Sequence, residues 1–127
     1  MRYILGIDIG TTAIKATVIG EDGAVYGEAA CEYELTTLPT GEVEADLQLY
    51  KDAFEQAIKE AVSSSKVDKK DIKCVGFSST AETCVFLDEN NEPLCKVIAW
   101  MDTRGTKEAE YLSQHFDKKD IISKVGF

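Results

Sequence analysis

The opening run Tyr3-Ile4-Leu5-Gly6-Ile7-Asp8-Ile9-Gly10-Thr11-Thr12 constrains the fold more than any other stretch of the chain. Residues 2–9 are apolar at nearly every position, which predicts a strand covered on both faces and central in a sheet. One carboxylate, Asp8, interrupts it, although Asp is a poor strand former and costly to bury without a partner. Gly10-Thr11-Thr12 then forms a turn. The β-branched run Ala13–Ile19 predicts a second strand, and Asp22-Gly23 is a strong hairpin signal before a third, from Ala24 to about Tyr33. The chain therefore opens as a three-strand β-meander and not as a βαβ unit.

Two readings account for Asp8. In one, it accepts hydrogen bonds from its own loop, as Asx turns do. In the other, the hairpin tip is an anion nest. Gly10 admits backbone angles a side chain would forbid, successive N–H groups point outward, and the hydroxyls of Thr11 and Thr12 stand beside them. A carboxylate so close cannot bind phosphate itself, but it can hold a divalent cation, or a water in its shell, that also touches the phosphate. Lys15 adds positive charge on the same side.

Composition limits the partners. The 127 residues suggest one domain or part of one, with 44% apolar and 29% charged residues, an ordinary globular balance. A net charge of −9 argues against a broad nucleic-acid contact and against anionic membrane surfaces. It leaves room for a local anion site built from main-chain N–H groups. Cys31, Cys74, Cys84 and Cys95 show no C-x-x-C spacing and the single His115 is remote from them, which argues against zinc. Three of them lie in or beside apolar runs, predicting buried free thiols in a reducing compartment. With no signal peptide and no stretch long enough to span a membrane, the expected location is the cytoplasm.

Further along, residues 34–46 read as an exposed loop with Pro39 and Gly41. Leu47, Tyr50, Phe54, Ala57, Ile58 and Ala61 form one apolar stripe, predicting a helix over about 47–62 with Asp46 as N-cap and the serines 63–65 ending it. Strands are expected at 72–77, 83–87 and 97–100, and a polar helix from Thr103 or Thr106 to about Gln114. Asp120 to Phe127 stops without a closing element, so the chain reads as truncated. The expected class is α/β: a mixed sheet covered by helices.

I-D-I-G-T-T-x-x-K at the start resembles the first phosphate loop of the actin, Hsp70 and sugar kinase superfamily. Two later stretches narrow the resemblance. Gly76-Phe77-Ser78-Ser79-Thr80-Ala81-Glu82-Thr83-Cys84-Val85-Phe86-Leu87-Asp88 is similar to the strand–loop–strand that meets the substrate in FGGY carbohydrate kinases. Pro93-Leu94-Cys95-Lys96-Val97-Ile98-Ala99-Trp100-Met101-Asp102-Thr103-Arg104 resembles their P-(x)n-I-x-W-x-D-x-R segment. Gly41-Glu42-Val43-Glu44-Ala45-Asp46 is similar to their G-x-V-E-x-D run. Order and spacing match over essentially the whole chain.

The resemblance implies a ribonuclease H-like (actin-like ATPase) sheet, of which residues 1–127 are the N-terminal part of the first domain. It implies ATP-dependent phosphorylation of a sugar or polyol hydroxyl, with ATP and magnesium as cofactors, and it leaves open a homodimer of the full-length protein. Carried over by position, Asp8, Gly10, Thr11, Thr12 and Lys15 fall to the ATP phosphate and magnesium region, with Asp8 on the metal through water. Thr80, Ala81 and Glu82 fall in the sugar-contacting loop, and Trp100 and Asp102 on the pocket-lining segment. Polyols suit such groups: carboxylates accept hydroxyl hydrogen bonds and an aromatic face meets the C–H side. The plainer alternatives are core packing for Trp100, a surface charge for Glu82 and a salt bridge for Arg104. The catalytic base and most of the adenosine pocket are expected downstream, so the isolated chain is expected to turn over little or nothing. Thr80-Ala81-Glu82-Thr83 departs from the Q-M-H-G of many xylulokinase-like members and from the R-E-T of glycerol kinases, which leaves the substrate undefined. A non-enzymatic actin-like binding module and another superfamily ATPase remain as alternatives.

Overall fold

The computed structural model describes residues 1–126, and Phe127 lies outside the described residues. Three strands, β1 (Tyr3–Ile9), β2 (Ala13–Gly20) and β3 (Val25–Glu32), form the expected meander. β4 (Thr36–Thr37) and β5 (Val43–Ala45) follow, then α1 (Leu47–Ser65), β6 (Ile72–Ser79), β7 (Val97–Ile98), α2 (Thr106–His115) and α3 (Lys118–Val125). The main sheet has the order β3-β2-β1-β6. β1 pairs antiparallel with β2 and parallel with β6, so the opening strand is central, as its apolar run predicts.

One face of this sheet carries the core. Leu5 and Ile7 of β1, Ile14, Ala16 and Val18 of β2, and Ala53, Ala57 and Ala61 of α1 are buried together. The small residues on α1 let its backbone lie close against β2 and β3, while Tyr50, Phe54 and Ile58 pack along the flank. The helix runs three residues beyond the predicted end because the serines continue it: the Ser65 hydroxyl donates to Val62 O at 2.7 Å, and Lys66 closes the helix in a left-handed conformation. Asp46 stands at the N-cap, though its side chain makes no capping hydrogen bond among the described residues. α1 reaches the edge of β6 through Phe54, whose ring stacks on Phe77 with centroids 6.4 Å apart, and Val75 and Phe77 remain 47% and 65% exposed on the same face as Leu5 and Ile7.

Other expectations need correction. The loop 34–46 contains β4 and β5, which join β7 in a second, three-stranded sheet ordered β4-β5-β7. Its signals were hidden because Thr36-Thr37 is polar and Pro39 and Gly41 dominate the region. The strand predicted at 83–87 is only a pair of isolated bridges, Cys84 with Ile98 and Leu87 with Pro93, because the facing residues Val97 and Ile98 pair with β5. Residues 120–125 lie in α3, capped by the Asp117 side chain on Lys119 N at 2.7 Å. Cys74, Cys84 and Cys95 are exposed and Cys31 half-buried, so the thiols are not core residues. Of the helices, α1 packs on the sheet, whereas α2 and α3 are exposed along almost their whole length.

Candidate phosphate and acceptor site

The β1–β2 hairpin is held from several directions. Gly10 N donates to Ala13 O at 3.0 Å. The glycine is needed for space and not for a left-handed φ: a Cβ there would stand 2.9 Å from Ala13 O. Tyr33, just beyond β3, fastens both sides of the tip. Its main-chain N–H donates to Thr12 O at 3.0 Å and its phenol donates to Gly10 O. Burial, and then the neighbouring Tyr50 ring at 4.8 Å, pushes the Tyr33 phenol far above its ordinary range, so it stays a donor. No pattern in the sequence signals this role, since Tyr33 reads there simply as the last apolar residue of a strand.

Asp8 and Lys15 stand directly opposite each other across β1 and β2, on the face turned away from α1, and Ser78 of β6 flanks Asp8. They line an open depression of about 480 Å³ together with Gly6, Thr17 and Gly76. A larger groove of about 820 Å³ lies at the far end of the sheet, over Ile58, Val62, Val67 and Ile72, beyond reach of the hairpin tip.

The chain that follows β6 returns to this tip. Thr80 N donates to Ile9 O at 2.9 Å, prolonging the β1–β6 ladder into the loop that holds Ala81 and Glu82. Glu82 has φ of 57°, a left-handed conformation that costs a non-glycine residue roughly 1–2 kcal/mol. Trp100 closes the group. Its main-chain N–H donates to Thr83 Oγ1 at 3.3 Å, and its indole Nε1 donates to Thr11 Oγ1 at 3.2 Å, while the side chain as a whole leaves the residue 52% exposed. Thr11, Thr80, Thr83 and Trp100 thus meet at one edge, and Glu82 lies in the loop between them.

Asp102 serves differently. Its carboxylate accepts from Val43 N at 2.9 Å and from the Arg104 guanidinium at 2.8–3.1 Å, and its side chain is 6% exposed. Arg104 also pairs with Glu44 at 3.3 Å, as does Lys96 at 3.1 Å. Thr103 N donates to Gly41 O at 3.0 Å and Ala99 N to Val43 O at 2.9 Å. The G-x-V-E-x-D and W-x-D-x-R stretches are therefore two sides of one junction. Gly41, at φ of 101°, faces Thr103 so closely that a Cβ would stand 2.3 Å from its hydroxyl. In this geometry Asp102 orients the segment bearing Trp100, because its acceptor oxygens are already engaged.

Bonds from Arg104 first, and then from Val43 N–H, hold the Asp102 carboxyl down at about 2. A folded-state value below the usual 3.8 gives stability that is complete above about pH 4 and is lost as pH falls toward 2. The stability gap between the protein and its Asp102→Asn variant is therefore expected to be constant from pH 5 to 7 and to narrow between pH 4 and 2. Urea titrations across that range check it; a gap unchanged at pH 2 would contradict the charged interaction.

His115 is exposed, stacked on Tyr111 at 4.0 Å. Among the described residues no group of three or more His, Cys, Asp or Glu side chains is arranged to hold a metal, and no helix is long and apolar enough to cross a membrane. A lone carboxylate such as Asp8 suits magnesium, which takes one or two protein carboxylates and completes its shell with phosphate oxygens and water.

A mixed α/β sheet opened by a meander is shared with the sugar kinases among solved structures, which have the actin-like ATPase fold. The family model for the FGGY family of carbohydrate kinases, N-terminal domain, matches residues 3–127, and the chain belongs to that family. It is 32% identical to the xylulose kinase of Bacillus subtilis (strain 168) over 116 residues, which is 91% of this chain and 23% of that protein. Ligand-bound xylulose kinase from Lactobacillus acidophilus superposes with a TM-score of 0.85 at 26% identity, over 97% of this chain and 24% of its own. Plasmodium falciparum glycerol kinase with ADP gives 0.83 at 25% identity, over 96% and 25%. The chain thus spans about a quarter of the length of the relatives it matches.

Proposed function

We propose that this chain supplies the nucleotide-phosphate hairpin and part of the acceptor pocket of a kinase that transfers the γ-phosphate of ATP to a hydroxyl of a sugar or polyol. The observation that carries this reading is the meeting of the Gly10–Thr12 tip with Trp100 and the Thr80–Thr83 loop. An anion nest and an acceptor platform only a hydrogen bond apart suit transfer between two bound groups, for which positioning supplies most of the catalysis.

The N–H groups and hydroxyls of Thr11 and Thr12 hold the terminal phosphate, with Lys15 adding charge. Asp8 orients water in the shell of magnesium, which when bound neutralises the phosphate oxygens. Glu82 accepts hydrogen bonds from acceptor hydroxyls, Thr80 and the Ala81 main chain border the same space, and the open part of the Trp100 ring covers the C–H side. Asp102 keeps that ring in place. Residues 1–127 make part of the N-terminal domain, and the general base and the adenosine pocket come from sequence outside them.

The test is ADP release by the complete polypeptide, with magnesium and ATP, across pentuloses, hexuloses, glycerol and other polyols. At least one acceptor is expected to raise ADP release well above the acceptor-free rate. With that acceptor, Glu82→Ala is expected to raise its KM about tenfold, the worth of one hydrogen bond to a charged group, and to change the KM for ATP less than threefold. Acceptor-independent hydrolysis alone, or an unaltered acceptor KM, would contradict the pocket assignment.

A further inference from the structure

We propose that the Trp100 indole N–H sets the Thr11 hydroxyl as a donor to the transferred phosphate, so that the acceptor platform and the phosphate nest are linked through one hydrogen bond. The inference rests on the reading of the hairpin given above. Nε1 of Trp100 lies 3.2 Å from Oγ1 of Thr11. An indole N–H only donates, so the threonine oxygen is the acceptor. A hydroxyl has a single proton. With the indole against one lone pair of the oxygen, that proton points away from Trp100 and is free for an anion over the tip.

Both ends of the link are held. Tyr33 fastens Gly10 O and Thr12 O on either side of Thr11. Trp100 is fixed at its main chain by Thr83, and Asp102 N donates to Ala99 O at 2.9 Å immediately beside it. The partly open ring leaves area for an acceptor, so the residue that would meet the acceptor also sets the polarity of a phosphate ligand. Core packing gives no reason for such a bond, because a packed indole could be satisfied by any nearby carbonyl. Trp100 is in this respect a positioning residue, acting on phosphate through Thr11.

The test uses the complete polypeptide as wild type, Trp100→Phe, Thr11→Val and the double variant, each checked for an unchanged melting profile. Trp100→Phe keeps an aromatic face and removes the N–H; Thr11→Val keeps the shape and removes the hydroxyl. Each single change is expected to lower kcat/KM for ATP by about tenfold. The acceptor KM of Trp100→Phe is expected to move less than threefold, a split that loss of a simple platform would not give. The double variant is expected to lose no more than Thr11→Val alone, since one link is removed once. A second readout needs no turnover: the ¹⁵N indole resonance that vanishes in Trp100→Phe is expected to exchange with water several-fold faster in Thr11→Val. Multiplying losses in the double variant, or an indole exchange rate unaffected by Thr11→Val, would overturn the link. Absence of nucleotide binding by the wild type would instead sink the functional reading, while the exchange measurement still reports on the contact itself.

Discussion

Replacing Gly27 with alanine is expected to destabilise the protein by about 3 kcal/mol, the upper end of what overpacking a core costs. Gly27 lies on β3 directly under α1. A Cβ there would stand 2.3 Å from Ala61 O, 2.6 Å from Ser65 N and 2.7 Å from Ser65 Cβ. Two of these atoms are main chain, so no side-chain rotation relieves the overlap, and the helix must lift from the sheet. Lifting it also unpacks Ala57 and Ala61, which are fully buried against β2 and β3. Set against the roughly 5–15 kcal/mol that separates folded from unfolded domains, the loss is large. Gly76→Ala is the matched control. It also sits in a strand, but nothing lies within 4 Å of its added carbon. Its expected effect is within about 1 kcal/mol, or a slight gain from a stiffer unfolded chain. Urea denaturation of the two variants checks the pair, and equal midpoints would mean that α1 does not pack as closely as described.

The second large effect is functional. Asp8→Asn in the complete polypeptide is expected to lower kcat about 10²–10³-fold, the range seen when one preorganised electrostatic partner of a transition state is removed. The substitution keeps size and most hydrogen bonding. Asp8 is half-buried on the face away from α1, opposite Lys15 and beside Ser78, so folding is expected to change by less than about 1 kcal/mol. The specific sign of a cation role is that higher magnesium restores part of the lost rate, because a neutral amide weakens binding of the ion and does not abolish it. A rate within fivefold of wild type at limiting magnesium would show that Asp8 belongs only to its own loop.

Local pattern revealed much of this architecture. The apolar run with its single Asp placed β1 at the centre of the sheet, and the threefold and fourfold spacing from Leu47 placed α1. Those signals come from large buried faces, which leave a period in the sequence. The second sheet left little: only β7, within the apolar run 97–100, showed in the sequence. β4, β5 and β7 have only two or three residues each, and their pairing is decided by Asp102 on Val43 N–H and by Glu44 with Lys96 and Arg104. Such contacts span more than fifty positions, and no periodicity encodes them. The W-x-D-x-R and V-E-x-D runs were visible as motifs, yet their meaning as mutual partners appeared only in three dimensions. The resemblance placed Asp102 on the pocket-lining segment, and the fold adds what no motif shows, that Arg104 and Val43 N–H both bond its carboxylate. Tyr33 is a second such case, in which an apolar strand end carries the hydroxyl that fastens the hairpin.

The most direct measurement is a crystal structure of the complete polypeptide with magnesium and a non-hydrolysable ATP analogue. The terminal phosphate is expected within hydrogen-bonding distance of the Thr11 and Thr12 N–H groups, with the ion on the Asp8 side and the Thr11 hydroxyl between phosphate and Trp100. Nucleotide bound elsewhere, with the Gly10–Thr12 tip facing bulk water, would contradict that placement.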